Sequence, residues 1–196
     1  MAEPKEDRRE QIFAAGAQLF AEKGYERTSL QEVADRLGVT KPALYYYYRS
    51  KEDLLFEIMS FCIDHVTRDI TDILARELAP PERLAELVRR YVRFFTSHPH
   101  ELTILSTAVD SLSPGPREVI VDKQRHYLKC VRRIVAELQG LRSRPPLDET
   151  AAAFALLGMM NWIFKWYDPR GPVGPERLAE QFCEIYLHGV LGHADR

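Results

Sequence analysis

A run of basic and aromatic side chains lies near the start of the sequence. Between residues 36 and 51 there is no acidic residue. The basic residues in this run are Arg36, Lys41, Arg49 and Lys51, and three tyrosines lie among them at 45–47. Such cations bind phosphates, while tyrosines can donate hydroxyl hydrogen bonds to phosphates or pack on thymine methyl groups. The alternative is an ordinary surface helix with aromatic packing.

The elements that would position these side chains are two short helices joined by a glycine turn. Ser29 followed by Glu32 forms a capping box, which predicts a helix over 30–37. Gly38 supplies the turn, and Thr40 is a good N-cap for a second helix that carries Pro42 in its first turn and ends near residue 48. This order of elements is typical of a helix-turn-helix DNA reader.

Over residues 28–55 the sequence resembles the signature of TetR-type transcriptional repressors. The matching residues are Thr28, Val33, Ala34, Gly38, Val39, Leu44, Tyr45, the aromatic Tyr48, Lys51, Leu54 and Leu55. The resemblance implies that Thr28 and Lys51 hold phosphates. It also implies a group of residues that faces operator DNA: Thr40, Lys41, Pro42, Ala43, Tyr45, Tyr46 and Tyr47.

Two residues depart from the family pattern. Tyr48 stands where the family usually has Phe, and we expect its hydroxyl to reach solvent or a partner. Tyr47 stands where the family often has His, which would change the phosphate contact or the base preference.

Composition excludes several classes of protein. The 196 residues include 27 Lys and Arg against 29 Asp and Glu, for a net charge of −2, which argues against a generally basic nucleic-acid coat protein. Cys62, Cys130 and Cys183 lie far apart, which argues against disulfides or a thiolate zinc site and favours a reducing cytoplasm. The charged first ten residues predict no signal peptide, and the longest apolar run, 151–164, is too short for a membrane span.

No catalytic constellation, metal site or cofactor motif is predicted. The sequence has no G-x-S-x-G, no H-E-x-x-H and no phosphate-binding glycine loop. His98 and His100 flank Pro99 as half of a possible metal site, but their place at a helix boundary favours a structural role. An all-helical enzyme is the remote alternative to a regulator.

Helical periodicity runs through the whole sequence, and strand signals are almost absent. We therefore predict an all-α fold of about nine helices. Their expected ranges are 7–23, 30–37, 40–48, 51–78, 81–97, 99–112, 116–141, 148–167 and 175–191. The natural division is a helix-turn-helix domain over 1–50 and a ligand-binding and dimerisation domain over 51–196.

The last two helices are predicted to form a homodimer interface. A segment that is apolar nearly all round, 151–166, must be covered on both sides, and small residues there allow close helix approach. The final helix carries an apolar stripe. The interface residues that we expect are Ala151, Ala155, Leu178, Phe182, Ile185, Tyr186 and Val190. A dimer would read two half-sites about 34–36 Å apart.

The central helices carry aromatic and apolar side chains that suit a ligand pocket, although each also fits an ordinary core. The candidates are Phe61, Phe94, Phe95, Leu105, Val109, Tyr127, Cys130, Val131, Met159, Trp162, Phe164, Lys165 and Trp166. The segment 158–175 resembles a stretch in TetR-type repressors of fatty-acid and sterol degradation, which implies an acyl-coenzyme A effector. The alternative effector is a hydrophobic or cationic drug, as in efflux regulators of the same family.

Clustered basic residues support the coenzyme A interpretation, because arginines bind phosphates well. The cluster consists of Arg89, Arg90, Arg93, Lys123, Arg125, Lys129, Arg132, Arg133, Arg142 and Arg144. The alternative is a solvated helix face.

Overall fold

The computed structural model describes residues 5–141 and 145–191, and every regular element in these ranges is helical. The helices are α1 (Lys5–Lys23), α2 (Leu30–Leu37), α3 (Lys41–Tyr45), α4 (Lys51–Ala75), α5 (Pro80–Ser97), α6 (Pro99–Thr107), α7 (Pro114–Gln139), α8 (Glu149–Asn161), α9 (Ile163–Trp166) and α10 (Pro175–Leu191), with a 3-10 turn at Val109–Ser111. This confirms the predicted all-α fold.

Helices α8 and α9 are one rod with a single interruption at Trp162. The Trp162 backbone keeps right-handed helical angles, and its N–H donates to the Gly158 carbonyl at 3.2 Å. If α8 and α9 are counted together, the described ranges hold nine helical rods, as predicted.

Helices α4 and α6 are among those that end earlier than the sequence pattern predicts. Helix α4 stops at Ala75 instead of residue 78, because the Arg76 N–H bonds the Ile73 carbonyl at 3.3 Å and tightens the chain into a turn. Helix α6 stops at Thr107, and the 3-10 turn replaces the predicted last turn up to residue 112.

The chain divides into two compact units that are not continuous in sequence. The first contains residues 1–63 and 100–121, and the second contains 64–99 and 122–196. Helices α4 and α7 each contribute to both units. The predicted domain boundary at residue 50 does not coincide with a boundary between these packing units. It therefore stays a prediction about function.

The first unit is held by a core from α1, α2, α3 and the start of α4. Ile12, Val33, Leu44 and Leu54 are at most 1% exposed. Leu54 packs directly on Gly16, where an added Cβ would lie 2.5 Å from the leucine Cδ2. A side chain at position 16 would collide with this contact, so glycine allows α1 and α4 to approach closely.

The second unit combines apolar packing with hydrogen bonds between helices. Helix α10 packs mainly on α5. The Tyr186 hydroxyl donates to the Ala152 carbonyl at 2.9 Å and joins α10 to α8. Arg83 on α5 pairs with Glu137 on α7, so a largely buried guanidinium is neutralised where the two helices meet.

The three cysteines are unpaired. Cys62 is buried in the first unit, and Cys130 and Cys183 are half-buried in the second. Within the ranges that the structure describes, no group of three or more His, Cys, Asp or Glu side chains is placed to hold a metal ion, and no helix has the length and apolarity to cross a membrane.

Candidate nucleic-acid interface

Helix α2 is fixed at both ends by short-range hydrogen bonds. The Ser29 backbone N–H donates to the Glu32 carboxylate at 2.8 Å, and the Glu32 N–H donates to the Ser29 hydroxyl at 3.3 Å. Gly38 ends the helix with a φ of 64°, and its N–H bonds the carbonyls of Ala34 and Asp35. This confirms the predicted capping box and glycine turn.

A salt bridge supports the start of α2 from the neighbouring helix. The Lys23 ammonium lies 2.8 Å from the Glu32 carboxylate. This contact, followed by the bonds from Ser29, lowers the pKa of Glu32 to about 2. The carboxylate therefore stays charged at all ordinary pH values and keeps the capping box formed.

Helix α3 is shorter than predicted, and its start is well defined. Thr40 accepts a hydrogen bond from the Ala43 N–H at 3.4 Å. The helix ends at Tyr45 instead of residue 48, because the Tyr47 N–H bonds the Leu44 carbonyl at 2.9 Å and tightens the chain into a turn. Leu44 is fully buried and is the only buried side chain of α3.

The predicted DNA-facing residues form one exposed segment at α3. Tyr45 is 42% exposed and Tyr46 is 68% exposed, whereas Tyr47 is half-buried. The rest of the segment, all exposed, is Thr40, Lys41, Pro42 and Ala43. The structure exposes these residues on one short segment, and no acidic residue lies near them in the sequence. A surface that binds a polyanion requires this absence of negative charge.

Aromatic contacts organise this exposed segment. The Lys41 ammonium lies 5.6 Å from the centre of the Tyr45 ring, within the range of a cation–π contact. Tyr46 and Tyr47 meet edge to face with ring centres 5.2 Å apart. The ring pair limits the conformations available to Tyr46 although its side chain projects into solvent.

The four basic residues of the run differ in availability. Arg36 pairs with Glu22 at 3.6 Å. Lys41 and Arg49 are exposed, and neither forms an ion pair with any carboxylate in the described part of the chain. These two cations are therefore the best placed for phosphates or bases, since they give up no existing ion pair on binding.

Thr28 and Lys51, the predicted phosphate ligands, are already engaged within the chain. Thr28 is 3% exposed, and its hydroxyl donates to the Gly24 carbonyl at 3.0 Å. Lys51 donates to the Tyr25 carbonyl at 3.0 Å and lies 4.0 Å from the centre of the Tyr25 ring. Both residues close the α1–α2 connection, and their contact with phosphate stays a prediction.

Replacing Lys51 by Ala should have two effects. The loss of its contacts with Tyr25 should reduce the free energy of unfolding by about 1–2 kcal/mol. Loss of one phosphate contact should also reduce the slope of log affinity against log salt by about 1. Denaturant unfolding and salt titrations of DNA binding measure the two effects separately. An unchanged salt slope together with reduced stability would leave Lys51 a purely structural role.

The Tyr48 hydroxyl reaches a partner, as expected. It donates to the Glu57 carboxylate at 3.0 Å, and Arg9 binds the same carboxylate through two nitrogens. Burial, and next the charge of Glu57, raise the pKa of Tyr48. Sequence reasoning missed Arg9 and Glu57, because they are 48 positions apart and no short-range pattern links them.

The predicted ligand-binding residues differ in how deeply their side chains are buried. In the second unit Phe94, Phe95, Tyr127 and Val131 are buried. Several others are exposed, and these are Phe61, Trp162, Lys165 and Trp166. The remaining candidates, all half-buried, are Leu105, Val109, Cys130, Met159 and Phe164. Phe61, Leu105 and Val109 belong to the first unit, so the candidates are spread over both units.

Two buried candidates have unusual surroundings. Phe94 lies between His65 and His98, with ring centres 3.8 and 4.4 Å away, in a stack of three rings. The Tyr127 hydroxyl is buried and finds no hydrogen-bond partner among the described residues. A buried hydroxyl without a partner is unfavourable, so this oxygen is a candidate point for a ligand's polar atom, as are the buried hydroxyls of Thr67 and Tyr167 in the same unit, which also lack a partner in the described ranges.

Most of the basic cluster proves to be paired with carboxylates. Arg90 binds Glu86 and Asp72, both at 2.8 Å. Other pairs are Arg89–Glu86, Arg93–Glu176, Lys123–Asp64, Arg125–Asp122, Arg132–Glu149 and Arg133–Glu137. Lys129 forms no ion pair in the described ranges, and Arg142 and Arg144 lie outside them. The pairing favours a structural role for most of these cations.

The expected dimer-interface residues fall into two groups. Ala151, Ala155 and Ile185 are exposed, and Ile185 is 61% exposed. The four other expected residues, each less than a tenth exposed, are Leu178, Phe182, Tyr186 and Val190. These four form part of the second unit's own core in the single chain, and their part in a dimer interface stays a prediction.

An exposed apolar strip runs along α8. Its members recur at helical spacing and are Ala151, Phe154, Ala155, Gly158 and Trp162. Phe154 is 54% exposed and Trp162 is 59% exposed. We call these five residues the α8 strip. Phe154 was not among the predicted interface residues, although its spacing from 151 and 158 was available in the sequence.

Both ends of the sequence match profiles of a single family. The profile "Bacterial regulatory proteins, tetR family" matches residues 12–58, and "Tetracyclin repressor-like, C-terminal domain" matches residues 77–190. The HTH-type transcriptional repressor KstR2 of Rhodococcus jostii (strain RHA1) is 27% identical over 197 residues, covering 95% of this chain and 92% of the relative.

Solved structures agree over nearly the whole chain. A TetR-family regulator from Bordetella parapertussis 12822 has a TM-score of 0.88 at 26% identity, covering 97% of this chain and all of the other. The structure of AibR in complex with isovaleryl coenzyme A and operator DNA has a TM-score of 0.78 at 29% identity, covering 94% and 98%. The chain belongs to the TetR family of DNA-binding transcriptional regulators.

Proposed function

We propose that the chain is a homodimeric repressor that leaves its operator when a small ligand binds to residues 51–196. The start of α3 is exposed and contains no acidic residue. This observation carries the proposal, because such a surface suits contact with DNA. Ligand and operator then share a coupling free energy. A ligand lowers operator affinity only to the extent that it prefers the conformation with low affinity for DNA.

The second copy is proposed to cover the α8 strip. Large apolar side chains that are more than half exposed mark interaction surfaces when they lie together. Ala151, Ala155 and Gly158 are small and permit close helix contact, while Phe154 and Trp162 supply apolar area. Ile185 on α10 adds a further exposed apolar side chain. A dimer of this kind would bind a palindromic operator through two copies of α3.

An acyl-coenzyme A thioester is the proposed effector. AibR, similar in fold and sequence, has been crystallised with isovaleryl coenzyme A and operator DNA. In this chain the buried, unpartnered Tyr127 hydroxyl supports the proposal, because it would find an acceptor in a thioester carbonyl; the buried Val131 lies on the same helix. Two exposed lysines, Lys129 and Lys165, supply cations for the coenzyme's phosphates. The Lys165 ammonium lies 5.1 Å from the centre of the Phe164 ring.

A cationic drug is the second candidate effector, and Glu101 is the observation that favours it. Glu101 is only 8% exposed and forms no ion pair among the described residues, while its charge acts on the buried Cys62. A buried carboxylate without a cation is unfavourable, and a cationic ligand would remove this penalty. Asp64 and Asp110 are instead paired, with Lys123 and Arg117.

Thermal unfolding with a panel of probes should identify the effector class. The panel consists of coenzyme A, acyl-coenzyme A esters of several chain lengths, free fatty acids and cationic dyes. A thioester at 100 times its dissociation constant should add about 2.7 kcal/mol of stability, or about 5–10 °C for a chain of this size. The shift should grow with acyl length and require the coenzyme moiety.

Three variants make the result specific. Tyr127→Phe should keep the unliganded melting temperature and reduce the thioester shift, because the removed hydroxyl has no partner. Tyr186→Phe is the matched control: it loses the bond to Ala152 and about 1 kcal/mol of stability, but keeps the full shift. A shift with dyes alone that Glu101→Gln abolishes would replace the acyl-coenzyme A assignment with the cationic one.

A further inference from the structure

The exposed segment at α3 has a restricted set of chemical groups. From Thr40 to Tyr46 it offers one ammonium group, methyl and ring surfaces, and hydroxyls. It holds no carboxamide, no carboxylate and no guanidinium. Lys41 and Ala43 are both exposed near the start of the helix, and Tyr46 is 68% exposed just after it.

The major groove presents a different pattern for each base pair. Guanine offers the O6 and N7 acceptors that lysine or arginine binds, and thymine offers a methyl group that apolar side chains contact. Adenine is usually read by Asn or Gln, and cytosine by Asp or Glu. Because the segment lacks all four of those residue types, guanine and thymine are the bases that its side chains match.

We propose that α3 reads a guanine flanked by thymines in each operator half-site, an inference that rests on the proposed binding of operator DNA. Lys41 donates to the guanine O6 and N7. Ala43 and the ring of Tyr46 contact thymine methyl groups. No side chain of this segment reads an adenine or a cytosine of the half-site, because the segment has no carboxamide and no carboxylate.

Tyr45 is assigned a positioning role in this reading. The Lys41 ammonium lies 5.6 Å from the Tyr45 ring centre, and the two residues are four positions apart on α3. Side chains at this spacing are neighbours on a helix. The ring attracts the cation and limits the directions in which the long lysine side chain extends.

Base analogues test the proposal directly. Full-length protein first selects binding sites from a library of random duplexes, and the enriched sequence defines the half-site. This half-site is then rebuilt with 7-deazaguanine, which lacks the N7 acceptor, or with deoxyuridine, which lacks the thymine methyl group. We expect a loss of about fivefold or more in affinity for the first change and about fourfold for each methyl group removed.

Protein variants assign each penalty to a side chain. In Lys41→Met the 7-deazaguanine penalty should vanish, and in Ala43→Gly at least one deoxyuridine penalty should shrink. Arg177→Met, which removes one exposed cation from α10, should keep every penalty and control for net charge. Tyr45→Leu should reduce the 7-deazaguanine penalty, whereas Tyr45→Phe should retain it because the ring remains.

The outcomes separate this inference from the proposed function. Enriched sites without a shared guanine, or a 7-deazaguanine penalty that is equal in wild type and Lys41→Met, would overturn the assignment of bases while leaving the protein a DNA-binding regulator. A library that yields no enriched sequence would contradict operator binding itself.

Discussion

Replacing Phe154 by Glu should convert the proposed dimer into monomers and lower operator affinity about a hundredfold or more. Phe154 lies in the middle of the α8 strip and is 54% exposed in the single chain. A second copy that covers the strip would bury the new carboxylate without a cation, which is strongly unfavourable. Two linked readers gain about 10²–10⁴ in affinity over one, and monomers lose this gain.

Val119→Glu is the matched control for this prediction. Val119 is also an exposed apolar residue, 44% exposed, but it lies on α7 outside the strip. Sedimentation velocity measures the oligomeric state, and fluorescence anisotropy with a labelled operator measures affinity. A Phe154→Glu protein that remains dimeric with wild-type affinity would show that the α8 strip is not the interface.

Leu44→Ala should lower the free energy of unfolding by about 2–5 kcal/mol and abolish specific DNA binding. Leu44 is completely buried, and it is the one side chain by which the five-residue α3 is anchored in the core. Truncation removes apolar contacts and leaves a cavity. A helix of this length has little stability of its own, so the exposed DNA-facing segment should lose its fixed geometry.

Leu84→Ala separates loss of the reader from general destabilisation. Leu84 is equally buried but lies on α5 in the second unit. Urea unfolding followed by circular dichroism should give a comparable loss of stability for both variants. At a temperature where both remain folded, only Leu44→Ala should lose operator binding. Equal losses of binding would mean that stability alone explains the effect.

The elements that were predicted most accurately are fixed by neighbours in sequence. Helix α2 occupies 30–37 as predicted, because Ser29, Glu32 and Gly38 form its caps within the same short segment. Helix α10 also spans the predicted 175–191, since Pro175 begins it. Helix α3 ends at Tyr45 and not at the predicted residue 48, because its end depends on how the chain turns between Leu44 and Tyr48 to bury the Tyr48 side chain.

Features that depend on contacts between distant residues could not be predicted from one sequence. The Arg9–Glu57–Tyr48 cluster and the pairing of Arg90 with Asp72 join different helices. Periodicity correctly identified an apolar stripe on α10, but a stripe does not reveal what covers it. Phe182 and Tyr186 pack within the chain, whereas Phe154 on α8 remains exposed.

The arrangement of the three cysteines also has a practical consequence for chemical labelling. Burial, and secondarily the charge of Glu101, raise the pKa of Cys62, so this thiol resists alkylation and oxidation. Burial raises the pKa of Cys183 to about 11 and also raises that of Cys130. Both are half-buried, and both lie in the second unit. A maleimide probe applied to the folded wild-type protein should therefore react slowly, and it should label the half-buried thiols of the second unit before the buried Cys62.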